Sequence, residues 1–269
     1  MHSAVSGYTA HGTPGPHLRV TLFGEPSVSY LRDLPEDVPM PGRCVLLLAY
    51  LVLYPKTRMR ERIASTLWPD SLDCEARASL RRTLHALVHA LPKEAESWIL
   101  MDAKRLAWNS RAPLWCDVDV FDRLTLNEAT LATAVDVYGG DLLAGEDAEW
   151  VVELRERLRE RQVEALAALA EGCCIRGDAT GAAAYYRRLL ALDPFREDAL
   201  RSLLGLLYAH GDRARAACEY RNFVNRLRDE LGVEPMPETV AYYDQIARGL
   251  APVRPLLADV RDLVTVGNL

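Results

Sequence analysis

The C-terminal half of this chain repeats itself at an offset of 34 residues, and this repeat constrains the fold more than any other feature. Gly177-Asp178 recurs as Gly211-Asp212. The other paired positions are Ala182 and Ala216, Tyr186 and Tyr220, Leu166 and Leu200, and Leu169 and Leu203. A repeat of this length cannot bury its own apolar face, so it predicts helix pairs that stack on one another.

The first copy has the spacing of a tetratricopeptide unit, in which a Gly-Asp turn joins two antiparallel helices. Its matching residues are Leu166, Leu169, Ala170, Gly177, Ala182, Tyr186 and Pro194. The second copy has Arg228 where the closing proline would stand, so its last helix is predicted to continue to Leu231-Gly232. A long helix over 150–174 precedes the repeat, and a closing helix over 237–250 follows it.

Such an array presents a concave surface that could bind a peptide, a partner protein or a second copy of the chain. The alternative is a packed helical bundle that only supports the N-terminal part of the chain. No stretch approaches the roughly 20 apolar residues of a membrane span, and no membrane partner is expected.

The N-terminal part alternates between strand and helix signals. Apolar and polar residues alternate over 18–22 and again near Val28 and Tyr30, with the turn Gly24-Glu25-Pro26 between them. Helices are predicted over 44–54, 60–67 and 73–91, and a hairpin joins 98–101 to 105–108. The predicted fold is mainly α with small β: an N-terminal winged helix-turn-helix followed by an all-α tetratricopeptide-like domain.

The third predicted helix has two distinct faces. Its apolar face holds Leu80, Leu84, Leu87, Val88 and Leu91, and the opposite arc holds Ala78, Arg81, Arg82, His85 and His89. The DNA major groove admits one helix, and arginine can donate two hydrogen bonds to guanine there. The pattern therefore favours DNA binding, and the alternative is a basic face that meets only water.

The distribution of charge along the chain agrees with a DNA-binding face on the third predicted helix. The chain carries a net charge of −6, but residues 1–122 are balanced, and residues 43–82 hold 8 basic and 4 acidic side chains. A local basic face can attract phosphate even on an acidic protein. The six cysteines contain no CxxC pair and are expected to be reduced thiols.

Two constellations could suggest other chemistry. His85 and His89 have metal-ligand spacing, but no Cys or carboxylate is placed to complete a site. The carboxylates of Asp117 and Asp119 could hold a metal, although a helix cap at Asp119 is the preferred interpretation. No nucleophile elbow, HExxH or phosphate loop is present, so the sequence predicts no enzyme, no cofactor and no metal.

In order along the chain, the motifs resemble the bacterial antibiotic-regulatory transcriptional activators, in which an OmpR-type winged helix precedes a bacterial transcriptional activator domain. The blocks that carry this resemblance are LRVTLFGEPSV at 18–28, LLLAYLVLYP at 46–55, LWPD at 67–70, ARASLRRTLHALVHAL at 76–91, DVDVFDRL at 117–124, YGGDLLAGEDAEWVVELRERLRER at 138–161, ALDPFREDAL at 191–200 and DELGVEPMPET at 229–239.

The resemblance implies a cytoplasmic transcription factor that binds direct repeats in double-stranded DNA near promoters, recruits RNA polymerase and forms a homodimer. The implied genes are those of specialised metabolism. A regulator gated by a small-molecule effector, held by the helical domain or between the domains, is the alternative. The larger members add an ATPase module, but this chain contains no GxxxxGK[ST] motif.

The resemblance also assigns residues and boundaries. Base-facing positions are Ala78, Arg81, Arg82 and His85; phosphate-facing positions are Arg77, Lys56, Arg58 and Arg60; wing positions are Lys104 and Arg105. Since histidines stand where arginine or serine is more usual, no base preference is carried over. The predicted divisions are a disordered tail at 1–17, the winged helix at 18–112, the activator domain at 113–250 and a C-terminal tail at 251–269.

Overall fold

The computed structural model describes residues 15–93 and 97–250. Its described residues up to Leu158 form one compact unit, and those from Arg159 onward form a second. Residues 1–14 of the predicted N-terminal tail and the whole predicted C-terminal tail lie outside the described residues. The last residue of the predicted N-terminal tail, His17, belongs to the first strand. The predicted class, mainly α with small β, is confirmed.

Seven short strands occur in the described part of the first unit. They are β1 His17–Thr21, β2 Ser27–Leu31, β3 Pro35–Asp37, β4 Arg58–Met59, β5 Ile99–Met101, β6 Arg105–Trp108 and β7 Leu114–Cys116. The α-helices of the described residues are α1 Gly42–Leu53, α2 Arg60–Leu67, α3 Asp73–Ala90, α4 Asp117–Leu124, α5 Leu131–Val137, α6 Glu149–Ile175, α7 Ala179–Leu192, α8 Glu197–Ala209, α9 Arg213–Arg226 and α10 Pro237–Arg248.

The first sheet has the strand order β3-β2-β1-β7. β1 and β2 pair antiparallel, with Leu18 opposite Tyr30 and Val20 opposite Val28, and all four side chains are buried. The alternation seen in the sequence therefore points one face of this sheet into the core. β7 pairs with β1 in parallel, although the sequence predicted no strand there. The predicted division near residue 112 stays a prediction.

A buried carboxylate connects the first sheet to α4. Asp117 accepts hydrogen bonds from the backbone N–H of Leu22 (2.8 Å), Phe23 (2.9 Å) and Val118 (2.8 Å). The prediction that Asp119 caps this helix is wrong, because Asp119 is exposed in the first turn and Cys116 occupies the cap position without a side-chain bond. Asp117 instead satisfies amides about 95 residues away in sequence.

The three N-terminal helices form the core of the winged helix. α1 buries Leu46, Leu47 and Leu48 completely or nearly so, and α3 packs on both α1 and α2. The second sheet has the order β4-β6-β5, so the hairpin predicted at 98–108 is confirmed, with its first strand beginning at Ile99, and it gains a two-residue third strand from β4. This sheet is the wing.

The helical unit confirms the repeat in atomic detail. Gly177 and Gly211 have the same backbone φ of +77°, in the left-handed region that glycine adopts without a steric penalty. In the first copy, Asp178 accepts from the N–H of Gly181 at 2.9 Å, capping α7. In the second copy, Asp212 caps α9 through the N–H of Arg215 at 3.0 Å. Both repeat alanines, Ala182 and Ala216, are fully buried.

The second copy of the repeat lacks the closing proline, and its last helix continues to Leu231-Gly232 as predicted. α9 continues into a π-helical turn, Leu227–Leu231, and stops at Gly232, whose φ is +68°. α10 then begins with Pro237 in its first turn. Among the described residues, no helix is long and apolar enough to cross a membrane.

Candidate nucleic-acid interface

α3 separates its aliphatic and cationic side chains onto two faces. Ala76, Leu80, Leu84 and Leu87 are buried in the core. Because Arg77, Arg81, Arg82 and His85 are offset from these residues by about 100° per position, they emerge on the outside, and all four are exposed. The amphipathic pattern of the sequence thus places three guanidinium groups and one imidazole on one outer face.

The apolar face is narrower than the sequence predicted. Val88 was assigned to it, but 43% of Val88 is exposed, so this assignment is wrong. The buried stripe advances through positions 80, 84, 87 and 91, and Val88 lies one step beyond its edge. The helix is therefore covered by the core on one side only, which leaves a broad outer arc.

Two predicted contact residues are less free than the arginines at 81 and 82. Ala78 is only half-exposed, at the border of the buried stripe. Arg77 pairs with Glu61 of α2 at 3.4 Å and donates from Nε to the carbonyl of Asp73 at 3.1 Å. These bonds hold Arg77 between α2 and the start of α3, whereas Arg82 donates only locally, to Ser79 Oγ at 3.1 Å.

The rings of His85 and His89 lie against each other on the same helix, tilted by 31°. Their ring centroids are 4.1 Å apart, and Nδ1 of His89 lies 2.8 Å from the carbonyl oxygen of His85. In residues 15–93 and 97–250, no group of three or more His, Cys, Asp or Glu side chains could hold a metal ion. The pair therefore stands as part of the polar outer face of α3.

The cations just before α2 and at its first residue differ in their exposure. Lys56 is exposed, while Arg58 and Arg60 are half-buried. The guanidinium of Arg58 lies 4.9 Å from the ring centroid of Tyr54 and 5.8 Å from that of Tyr50, a cation–π geometry. Arg58 thus presents only part of its guanidinium to solvent, and we rank it below Lys56 as a phosphate contact.

The tip of the wing is organised by Asp102, which the sequence places in the tight turn of the hairpin without indicating its role. Its Oδ1 accepts from the backbone N–H of Lys104 and of Arg105, both at 2.7 Å. These two bonds lower the pKa of the Asp102 carboxyl below its ordinary value, Lys104 contributing most. The carbonyl of Lys104 accepts from the N–H of Arg60 at 2.8 Å, which fixes the tip against the start of α2. An Asp two residues before a lysine in a tight turn is the signal that could have identified it.

The structure brings these residues together in one unit through direct packing. α2 packs on α3, β4 leads directly into α2, and β4 pairs with the wing strand β6. Lys104 and Arg105 at the wing tip are exposed, as is the outer face of α3, and both belong to this unit. A helix with outward guanidinium groups beside a basic hairpin can donate to base edges and to phosphates of the same duplex.

The fold and site define a class: a winged helix-turn-helix whose third helix has a basic outer face, followed by stacked antiparallel helix pairs. Residues 117–247 match the family model described as the bacterial transcriptional activator domain. This stretch belongs to that domain family, and the resemblance inferred from the sequence is confirmed. The match begins at the first residue of α4, so it includes α4 and α5 of the first unit.

Known proteins that resemble this chain include a curated regulatory protein and a solved structure. The regulatory protein AfsR of Streptomyces coelicolor is 32% identical over 107 residues, which are 40% of this chain but only 11% of AfsR. A solved structure of Mycobacterium tuberculosis EmbR, in complex with a low-affinity phosphopeptide, superimposes with a TM-score of 0.66 at 22% identity. That match covers 93% of this chain and 70% of the EmbR chain, and it shows a shared fold.

Proposed function

We propose that this protein is a sequence-specific transcriptional activator that binds double-stranded DNA through α3 and the wing. The observation that carries the proposal is the outer face of α3, where Arg81, Arg82 and His85 are exposed while the opposite face is fixed in the core. The major groove accommodates one helix, and an arginine on that helix can donate two hydrogen bonds to the edge of a guanine. Lys104 and Arg105 on the wing would then contact phosphates.

The relatives support a regulatory role for the whole molecule. Residues 117–247 carry the activator domain, and AfsR is a regulatory protein. We infer that the chain binds direct repeats near promoters as a homodimer in the cytoplasm and helps to recruit RNA polymerase. Genes of specialised metabolism are the proposed targets. Catalysis forms no part of this proposal.

The test is a selection of bound fragments from the host genome with the full chain, followed by footprinting of the enriched sites. The expected result is a small set of related sites with a repeated element. A matched pair of variants makes the test specific: the double variant R81A/R82A should lose the enrichment, and R111A, which changes an exposed arginine outside α3, should keep it. If the full chain enriches no sequence, or if R81A/R82A enriches the same sites, the proposal is wrong.

A further inference from the structure

A cluster of three aromatic rings lies next to Arg58, just before α2. Tyr50 belongs to α1, Tyr54 directly follows that helix, and Trp150 is in the first turn of α6. The ring centroids of Trp150 and Tyr50 are 5.2 Å apart, and those of Trp150 and Tyr54 are 6.0 Å apart, both in edge-to-face geometry. The two tyrosine rings also contact each other, at 5.0 Å. The three rings therefore form one packed group, in which each ring limits the movement of the other two.

Arg58 depends on the two tyrosine rings for its position. Its guanidinium lies 4.9 Å from the ring centroid of Tyr54 and 5.8 Å from that of Tyr50. Its Nε is buried and has no hydrogen-bond partner among the described residues. The cation is therefore held by aromatic faces, and it keeps its position only while those rings keep theirs. Because Arg58 is only half-buried, the remaining part of the guanidinium can still contact a ligand in solvent.

The start of α6 is fixed to the first unit by bonds that do not involve Trp150. Arg155 donates from Nε to the carbonyl of Leu142 at 2.9 Å. One of its terminal nitrogens donates to the carbonyls of Leu143 at 3.0 Å and Glu146 at 2.6 Å. These bonds oppose any movement of α6 into the gap that a smaller side chain at position 150 would leave. Since a buried cavity collapses only in part, the adjoining tyrosine rings would shift instead.

We propose that Trp150 is a positioning residue for DNA binding, because through the two tyrosines it holds the Arg58 guanidinium where it contacts a phosphate of the duplex. This inference rests on the proposed DNA binding. Arg58 lies on β4, which leads into α2 and pairs with the wing strand β6, so it belongs to the elements that flank α3. A guanidinium that is already held loses less conformational freedom on binding. Trp150 lies within residues 117–247, so the activator-domain segment contributes to DNA affinity without contacting DNA.

The experiment is a titration of the full chain with the selected duplex, followed by fluorescence anisotropy at several salt concentrations. One phosphate contact contributes about 0.9 to the slope of log affinity against log salt concentration. R58A should weaken binding about three- to tenfold and reduce the slope by about this amount. W150L should do the same although it removes no charge, because the guanidinium leaves its position. W150F keeps an aromatic edge at this site and should stay close to the parent protein.

Two further variants separate positioning from a general loss of stability. In W150L/R58A the loss of affinity should be no larger than in R58A alone, because both changes act through the same cation. F121L is the matched control, since Phe121 is a fully buried aromatic residue of α4 that contacts Phe23 and Tyr138. At a temperature where thermal melts show every variant to be folded, F121L should leave both the affinity and the salt slope unchanged.

The possible failures are distinguishable. If the parent chain binds no duplex, the proposed function fails and this inference fails with it. If the parent binds but W150L keeps its affinity and salt slope, only the inference is wrong. An equal loss from W150L with and without Arg58, or the same loss from F121L, would also overturn it, and tighter binding by W150L would show that the rings hold Arg58 away from DNA. Should W150L not fold, Y54L at a half-buried position replaces it, with the same expected results.

Discussion

At the scale of single residues, the proposed function depends on two guanidinium groups. Replacing Arg81 or Arg82 with alanine should each weaken binding to the selected DNA site by about 1–3 kcal/mol, because a base contact would be lost. Binding to unrelated duplexes should change less. Fluorescence anisotropy with a selected and a scrambled duplex measures both quantities.

Lys104 provides the contrast on the wing. A lysine that contacts phosphate contributes equally to every sequence, so K104A should weaken both duplexes alike and reduce the salt dependence of binding. If R81A and R82A leave affinity for the selected site unchanged, these arginines do not read bases. If K104A weakens only the selected site, the wing reads bases instead.

Asp102 places a negative charge at the tip of a wing that is proposed to approach phosphate. Since its carboxylate accepts from the N–H of Lys104 and Arg105, we expect it to position both cations. D102A should weaken DNA binding at temperatures where the protein is fully folded, and D102N should restore it because an amide oxygen accepts the same bonds.

The pKa of Asp102 gives the pH dependence of this effect. A lowered pKa means that the carboxylate stabilises the turn at and above the ordinary Asp pKa and that this stabilisation is lost only as the pH falls through the lowered value. The difference between D102A and the parent protein should therefore stay constant around neutral pH. Equal affinity of D102A and the parent protein would show that the turn holds its shape without Asp102.

At the scale of elements, the repeat turns are the sharpest test of the helical unit. Gly177 and Gly211 have φ near +77° and open space where a Cβ would be added, so only backbone strain opposes a side chain there. G177A and G211A should each lower the free energy of unfolding by about 1–2 kcal/mol. Denaturant titration measures the loss. A matched control is G42A, at a helix start with open space and no left-handed backbone, where the change should be small.

Elements with strong local patterns were predicted well from the sequence. α2, α3, the wing hairpin, α6 and α10 each lie within one or two residues of their predicted bounds, because periodicity and prolines mark them locally. β4 and β7 were missed because strands of two and three residues have no period to detect. They exist only because Arg58–Met59 pairs with β6 and Leu114–Cys116 pairs with β1.

At the scale of the whole molecule, Asp117 joins parts of the first unit that are distant in sequence. D117N should lower the free energy of unfolding by about 1–3 kcal/mol, because asparagine has only one acceptor oxygen. Its NH₂ would face either the N–H of Val118 or the N–H groups of Leu22 and Phe23, all of which the carboxylate now satisfies. The matched control is D119N, two residues away and exposed, which should change stability by less than about 0.5 kcal/mol. Similar losses for both variants would contradict the assigned role.

The same residue predicts a pH dependence with a definite sign. Burial raises the pKa of Asp117 above its ordinary value, and the three backbone N–H bonds only partly oppose this effect. A raised pKa means that the contribution of the group to stability is greatest below the ordinary Asp pKa and falls as the pH rises through the raised value. In thermal melts at several pH values, this decrease in stability with rising pH should be present in the parent protein and absent in D117N.

The sequence by itself determined the two architectures and the cationic face of α3, because helix periodicity, the Gly-Asp turns and the alternation of charges are local patterns. Only the tertiary structure decided that Asp117 rather than Asp119 is the buried carboxylate and that Val88 is exposed. It also decided that two arginines proposed to contact phosphate have protein partners: Arg58 contacts Tyr54, and Arg77 contacts Glu61. These facts depend on which distant segments pack together, and a periodic pattern gives the direction of a side chain without naming its neighbour.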